Sequence, residues 1–571
     1  MVGPTKSFLK NGPEMKTQGS EHLSMDGAWH RFALAASSGI MLGASFPPSP
    51  IHSLAYVSLI PLLLLLETLE GTWRTLRYSY VSFFIFHALT LYWIGGFVVG
   101  RDVWMMIAGA AVLLIHPMFY WVIILLYIRV RKRLGLVAGL AFLPLAWISY
   151  EYSHSLSEFS FPWVTLGNSQ AYDLPRIQIA EFTSTYGISF LILCFNVIGF
   201  VLITKLATKS WKFRSQSVAL ALLALLVLYF GPWIYGKVRM ARYETPTAAT
   251  ALRVGVVQPN IDPWEKWRSG NESPWVSYEK QLADYMRETK SLAEQDLDLV
   301  VWPETAIPFP ILLPGNQMYW SWLRGNLDSA RGAVLTGLAY TVFYDSAHAP
   351  ATASRARTGN RYYDNFNSAA LLVPGQDVGP IYKKIVLVPF AERIPYAEAF
   401  TFLIEPLKWN VGIGMWGKGG DTVVFSLPSP NGPERKFASM ICYESVYPDF
   451  VRQFVLRGAQ FLVIITNDSW WGNTSGAYQH ASYASFRAIE NRRWIVRAAN
   501  GGISGLVDPS GTFRHRTQFY TSATFHGSIE PRTELTFYGQ HGDIFAGSCV
   551  CCATFLFLLT FIPQRKQSGQ T

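Results

Sequence analysis

The chain has 571 residues, half of them apolar and only 15% charged, against about 25% charged in an ordinary soluble domain. That deficit points to membrane spans and excludes a simple soluble globule. The net charge of +10 does not point to nucleic acid: the excess sits in short clusters beside apolar runs, and no basic patch interleaved with aromatics occurs in the soluble part.

Seven apolar runs long enough to approach the roughly 20 residues of a bilayer-crossing helix lie near 31–47, 51–68, 79–99, 103–128, 134–151, 186–204 and 217–236, and an eighth runs from about Ile544 to Ile562. Pro47-Pro48-Ser49-Pro50 forces a turn between the first two. The first run comes after about 30 residues of basic tail and is succeeded at once by further spans, so it reads as a retained helix and not a cleaved signal. Placing Lys6, Lys10 and Lys16 in the cytoplasm also puts Arg74 and Arg77, Arg129 to Arg133, Lys205 to Arg214, and Arg565-Lys566 there. The opposite loops carry Arg101 and a mixed segment with Glu151, Glu158, Asp173 and Glu181. The expected organisation is a cytoplasmic tail (1–30), a membrane domain of seven transmembrane helices (31–240), an extracytoplasmic domain (241–540), and an eighth helix with a cytoplasmic tail (541–571).

In the soluble region, β-rich runs at 252–257, 299–302, 334–338, 369–373, 437–442 and 461–465 alternate with amphipathic helical patterns at 279–294 and 477–492. Continuous apolar strands separated by helices imply a sheet covered by helices, an α/β layered fold. Residues 344–361 read as a loop or hairpin tip. In such folds, polar residues at strand ends are candidates for a site.

Three strand-end segments carry chemistry. Cys442 closes the run Phe437–Cys442 and is the lone cysteine of the soluble region; alone it could be a packed core thiol, but the adjoining polar Tyr443-Glu444-Ser445 turns the chain outward. Glu304, after Pro303, could be an exposed carboxylate or a general base. Lys384 could be a surface lysine or the cation of an oxyanion site; strand alternation puts Lys383 and Lys384 on opposite faces, so at most one reaches a site. Glu392 and Glu444 are candidates to hold Lys384 and balance its charge. A nucleophile, a base and a cation are the parts of acyl transfer. The other cysteines, Cys194, Cys549, Cys551 and Cys552, read as small buried hydrophobes, with lipidation of the last three as the alternative. No zinc-like spacing occurs, so neither metal nor organic cofactor is expected.

Together these segments resemble the nitrilase, or carbon–nitrogen hydrolase, superfamily, whose Glu-Lys-Cys triad has the chain order Glu304, Lys384, Cys442. With the surrounding spans, residues 30–562 are similar to the bacterial apolipoprotein N-acyltransferase family. Gln258-Pro-Asn-Ile-Asp-Pro-Trp-Glu-Lys-Trp267, Trp302-Pro-Glu304, Tyr382–Glu392, Ile441-Cys-Tyr-Glu444, Thr466–Gly472 with Gln479-His480, and Phe161-Pro-Trp163 carry the likeness. Ala391, where the family usually has Gly, and Arg393, where it has an aromatic, depart from it. The resemblance implies an αββα sandwich catalytic domain beside a multi-span α-helical membrane domain. It further implies supporting or substrate-binding roles for Trp267, Glu392, Tyr443, Glu444 and Trp163. The implied partners are a phospholipid acyl donor, a diacylglyceryl-apolipoprotein acceptor and the lipid bilayer, at a bacterial inner membrane with the catalytic domain periplasmic.

Two apolar segments, Ile307–Pro314 and Phe400–Ile404, are expected to reach the bilayer and guide acyl chains, unless they pack on their own domain. Competing readings are a membrane-anchored hydrolase with water as acceptor, which would need neither seven spans nor apolar loops, and a lipid-binding or transport protein with a silent enzyme domain. The scarcity of ionisable residues in the spans speaks against the latter.

Overall fold

The computed structural model describes residues 27–100, 102–243, 251–267, 275–327, 332–356, 359–403, 416–428 and 434–563. Lys6, Lys10, Lys16, Arg101, Ile404, Arg565 and Lys566 lie outside the described residues.

The helical part begins with α1 (Ala28–Ala44), α2 (Ile60–Thr68), α3 (Thr72–Leu91), α4 (Val103–Phe119), α5 (Trp121–Leu134) and α6 (Leu136–Ser155). A short α7 (Leu174–Ile177) leads into α8 (Ala180–Ala207) and α9 (Gln216–Met240). Small residues set the closest approach: a Cβ on Gly39 of α1 would lie 2.3 Å from the Ser82 carbonyl of α3. Among the described residues three stretches, Met105–Leu134, Ala180–Ala207 and Gln216–Met240, are long and apolar enough to cross a membrane. Helix α9 buries only Val218 and Gly236, which leaves its apolar surface facing outward.

The remainder forms two facing sheets. Their strands are β1 (Leu252–Gln258), β2 (Leu299–Val301), β3 (Ala333–Asp345), β4 (Ser354–Arg355), β5 (Arg361–Leu372), β6 (Ile381–Lys383), β7 (Phe425–Leu427), β8 (Arg435–Ile441), β9 (Phe461–Thr466), β10 (Ile495–Ala499), β11 (Gly505–Val507), β12 (Phe513–Arg516) and β13 (Ala523–Ile529). One sheet has the order β13-β1-β2-β3-β5-β4 with β6 on β5; the other runs β12-β11-β10-β9-β8-β7. Their centres, β1-β2-β3 and β8-β9-β10, are parallel. Val254, Val256, Val301 and Leu335 from the first sheet share one core with Phe437, Met440, Phe461 and Ile464 from the second. Helices α10 (Tyr278–Ser291) and α11 (Gln317–Leu327) cover the outer face of the first sheet through Leu282, Tyr285, Leu323 and Leu327. Helices α12 (Pro448–Leu456) and α13 (Ser475–Asn491) cover the second, and α14 (Phe537–His541) and α15 (Ile544–Leu559) come after them. This is the αββα sandwich beside a helical membrane-type domain.

The described residues between Asp345 and Arg361, which pair at the end of the register, lie at the tip of the β3–β5 hairpin. Three other expectations need correction. Ile307, Phe309 and Ile311 are buried, and Phe309 stacks on Tyr278 at 4.1 Å, so Ile307–Pro314 packs on its own domain instead of reaching a bilayer. Phe400 and Phe402, by contrast, are exposed. Cys551 and Cys552 are exposed and only Cys549 of that trio is buried, because α15 turns them away from the helices it packs against. Helix α13, expected to be amphipathic, is buried on nearly all sides, because it is wedged between the second sheet and the membrane-type domain.

The wedge is polar, and several of its side chains bond across to the membrane-type domain. The Gln479 Oε1 accepts from Trp93 Nε1 (3.1 Å) and Trp163 Nε1 (2.8 Å), while its Nε2 donates to Pro47 O (2.9 Å) and Thr90 O (3.1 Å). Ser184 Oγ donates to Glu490 (2.7 Å) and Arg492 Nε to Glu181 (2.9 Å). A buried donor or acceptor left without a partner costs about 1–3 kcal/mol. Gln479→Leu removes four such bonds at once, leaving Trp163 Nε1 and Pro47 O without this partner while Trp93 Nε1 still donates to Thr90 O (3.0 Å), and is expected to lower the thermal unfolding midpoint of the detergent-purified protein; an unchanged midpoint would show that the junction does not depend on this side chain.

Candidate active site

The carboxylate comes first in the chain. Strand β2 ends at Val301, and Trp302 anchors the adjoining turn by stacking on Tyr285 (4.9 Å) and donating to Thr289 Oγ1 (2.9 Å). Glu304 sits in the turn after Pro303, and its successor Thr305 has φ 48°, a conformation a β-branched residue rarely adopts. Strand β3 supports this turn from below: a Cβ on Gly337 would stand 2.5 Å from Thr305 N and 2.7 Å from Glu304 Cα. Only a glycine lets the two backbones approach this closely.

The amine comes just after β6. As strand alternation requires, Lys383 lies over the Phe366 ring (5.1 Å) and Lys384 turns the other way into a fully buried position. Its Nζ is 2.8 Å from Glu392 Oε1 and 3.6 Å from Glu304 Oε1. Asn367 on β5 donates from Nδ2 to Glu304 Oε1 (2.7 Å) and more weakly to Glu392 Oε1 (3.4 Å). Glu392 Oε2 accepts from Val388 N (2.8 Å), which closes the loop around the lysine.

The thiol is the first residue after β8. Cys442 has φ 53° and opens the 3-10 turn Cys442–Val446, so the chain bends sharply at the nucleophile and lifts it off the sheet edge. Such strained residues persist only where the surroundings over-determine them. Here His480 supplies part of that: its Nε2 lies 3.2 Å from Cys442 O and 2.9 Å from Ser445 Oγ, and Ser445 Oγ donates to Cys442 O (2.8 Å). Asp468 bridges His480 Nδ1 (2.8 Å) and Arg497 Nη2 (2.6 Å), all buried beneath the turn.

The electrostatics arise from burial around one cation. Desolvation raises the Glu304 pKa, opposed by the Lys384 ammonium and reinforced by Glu392. Burial alone would push Lys384 down, but Glu392 and Glu304 together hold it well above the ordinary ammonium range. Burial and Glu304 push the Cys442 thiol up, while Lys384 and a hydrogen bond from Thr466 pull it back. The arrangement holds a carboxylate of raised basicity, a permanent cation and a thiol on one small buried patch.

Each supporting residue can be placed. Tyr443 stacks on Phe161 and Trp163 and donates its hydroxyl to Ser160 O (2.8 Å), fastening the nucleophile turn to the membrane-type domain. Trp267 is half-buried, donates to Pro308 O (3.1 Å) and stacks on Trp470 (5.8 Å). Glu392 holds Lys384 as expected. Glu444 does not: its Oε1 accepts from Tyr382 OH (2.6 Å), Ile385 N (2.7 Å) and Val386 N (3.1 Å), and its Oε2 from Ile441 N (2.8 Å). It therefore ties the lysine segment to the Cys442 turn through backbone and phenol donors, and Lys384 acts on it through charge and not through a hydrogen bond. The positive φ near Ala391 falls on Phe390 (63°), so Ala391 needs no glycine. Arg393 is spent on Trp416 O (3.0 Å) and Glu398 (2.5 Å).

Asp468 falls within the Thr466–Gly472 stretch that carries the family likeness, but the sequence assigns it no role of its own; Asn367, just before the apolar run at 369–373, and Arg497, in β10, carry no sequence signal.

Burial raises Glu444 to about 7, but all four of its partners are donors. Glu444→Gln places an amide NH2 against one of those donors despite its equal size. The expected outcome is a fall in the rate of Cys442 modification by an acyl donor of about 10²-fold, the scale of a displaced catalytic group; a rate within twofold of the unsubstituted protein would refute the positioning role.

Family models match the chain in two places: an apolipoprotein N-acyltransferase N-terminal domain over residues 38–198, and a carbon-nitrogen hydrolase over residues 253–530. The chain is 34% identical over 540 residues to an apolipoprotein N-acyltransferase of Chlorobaculum tepidum, covering 94% of this chain and 97% of the relative. It is 32% identical over 533 residues to that of Geobacter metallireducens, covering 93% and 95%. Among solved structures, an amidase from Nesterenkonia sp. aligns over 53% of this chain and 98% of its own, at 15% identity and a TM-score of 0.35. With its two matched domains in this order and relatives spanning nearly its whole length, the chain belongs to the apolipoprotein N-acyltransferase family.

Proposed function

We propose that the protein transfers a fatty acyl chain from a membrane phospholipid, through a thioester on Cys442, to the α-amino group of the S-diacylglyceryl cysteine of an apolipoprotein. The observation that carries this is the junction: the turn bearing the thiol is bolted through Tyr443 onto Ser160, Phe161 and Trp163 at the mouth of an apolar helical domain. Amide hydrolysis with water as acceptor has no use for such a junction.

In the first half-reaction Glu304 takes the Cys442 proton as the sulfur attacks the sn-1 ester carbonyl. Lys384 and the Tyr443 N–H stabilise the tetrahedral oxyanion. Its collapse breaks the ester C–O bond, Glu304 returns the proton to the leaving alkoxide, and a lysophospholipid departs. In the second half-reaction Glu304 takes a proton from the attacking amine, the C–S bond breaks and the sulfur regains its proton. Glu392 keeps Lys384 in place throughout, and the cation prevents the carboxylate from becoming too basic to act near neutrality.

The same reading extends to topology. Eight spans, formed by α1, α2, α3, α4–α5, α6, α8, α9 and α15, anchor the sandwich, with boundaries at about 30, 240 and 540. Arg129 Nε donates to Thr560 Oγ1 (2.9 Å), which brings the Arg129–Arg133 cluster to the end of α15 remote from the sandwich. That favours a cytoplasmic basic end and a periplasmic catalytic domain at a bacterial inner membrane.

Incubation with phosphatidylethanolamine followed by mass spectrometry is expected to find a hydroxylamine-labile acyl adduct on Cys442 and none on Cys442→Ala; lipid left intact with no adduct would overturn the proposal. The base must be ionised to act and its pKa is raised, so the acidic limb of the acylation rate lies above the ordinary glutamate range. Lys384 is held above its ordinary range, so its deprotonation produces no fall in rate at mildly alkaline pH. A stopped-time pH profile of adduct formation checks both limbs.

A further inference from the structure

Lys266 lies outside the set of groups that handle the acyl group, yet it is fully buried within reach of the base. Its Nζ donates to Thr305 O (3.0 Å), to Glu304 O (3.4 Å) and, at the limit, to Thr305 Oγ1 (3.5 Å). Every one of these oxygens is neutral. An ammonium removed from water without a carboxylate in contact is costly, so its retention calls for a physical reason.

The surroundings supply one. Thr305 is in the left-handed region, and the turn it belongs to is pressed against Gly337 on one side, where no Cβ fits. Lys266 closes the other side, gathering the two carbonyls that flank the strained bond. The lysine is itself fixed: its carbonyl accepts from Gln281 Nε2 on α10 (3.1 Å), and its neighbour Trp267 is tied to Pro308 O (3.1 Å). The turn carrying Glu304 is therefore held between a backbone below and an ammonium behind.

We propose that Lys266 is the positioning residue of the general base: its ammonium clamps the Glu304–Thr305 carbonyls, which aims the carboxylate at Cys442, and its charge restrains the carboxylate's proton affinity from behind while Lys384 does so from the front. This rests on the reading of Glu304 as the base. The charged group acting on the ammonium is the Glu304 carboxylate, and the Trp267 ring centroid lies 6.0 Å from it; on Glu304 itself Lys384 stands at 3.6 Å and Glu392 adds its negative charge. Burial pushes the Lys266 ammonium down to about 7 and Glu304 draws it back up, so the two charges are coupled.

The test compares Lys266→Met, Lys266→Gln and Glu304→Gln in the full-length, detergent-purified protein, tracking Cys442 adduct formation from phosphatidylethanolamine across pH. For Lys266→Met the rate at neutral pH is expected to fall about tenfold or more with KM for lipid unchanged, and the acidic limb to move to higher pH, because a positive charge near the carboxylate is gone. Lys266→Gln keeps a donor but not the charge, so it recovers part of the plateau rate while its limb stays displaced. Limbs superimposing on the unsubstituted protein for both variants would overturn the inference, as would a loss confined to KM. If Lys266→Met does not accumulate folded, the limb of Lys266→Gln decides alone. Glu304→Gln separates the two levels: full activity there refutes Glu304 as the base, and the inference with it, whereas an inactive Glu304→Gln beside unaltered Lys266 variants refutes the inference only.

Discussion

One buried cation organises this molecule. Lys384 has no contact with solvent, and the desolvation it suffers is tolerable only because Glu392 at 2.8 Å and Glu304 at 3.6 Å surround it. That requirement fixes the neighbourhood. The β5 strand supplies Asn367 to bridge the two carboxylates, the 388–392 loop curls back to offer Val388 N, and β2 and β3 must meet without a side chain between them. Removing Glu392 would take away the nearer partner of the ammonium and leave Glu304 at 3.6 Å to balance it, so the ion cluster depends on the loop that supplies Glu392.

The thiol is placed by a second, independent set of constraints. Its backbone is strained at the point where strand becomes turn, and the strain is held by contacts to the residue's own carbonyl from Ser445 and His480. Beneath them Asp468 and Arg497 form a buried ion pair at 2.6 Å. Glu444 links the two constraint sets, since it accepts donors from the lysine segment and from Ile441 at once. Glu304, Lys384 and Cys442 therefore come from three different strand ends, yet their separations depend on a handful of buried carboxylates.

The same polar logic governs the joint between the two parts of the chain. Apolar helices that face lipid cannot recognise a soluble domain by hydrophobic contact alone, because lipid competes for the same surface. The joint instead uses specific hydrogen bonds: Gln479 to two indoles and two carbonyls, Glu181 with Arg492, Ser160 with Tyr443 and Tyr447. Their geometry holds the nucleophile turn against Trp163 and Phe161, where the apolar domain begins. The thiol turn is thereby held at the joint between the two parts of the chain, each half supplied by a different layer of the fold.

Much of this was legible in order along the chain. Apolar run lengths and basic clusters marked the helices; alternation of apolar strands with helices marked the layered sandwich; and Glu304, Lys384 and Cys442 stood out as polar residues closing apolar strands. These are local signals, set by period, length and the cost of burying charge, and they survive without a partner in view. Beyond reach lay whatever depends on two distant segments meeting. Whether Ile307–Pro314 would face lipid or its own core was decided by α10 and α11 closing over it. Whether Glu444 would hold Lys384 or the backbone beside it was decided by the bend at Cys442. The buried polar character of α13, and the clamp of Lys266 on a turn 38 residues away, exist only once the sheets and helices have packed. Residue type and spacing determined which groups were available for chemistry; long-range packing alone decided which of them face one another, because contact between remote segments leaves no periodicity in either.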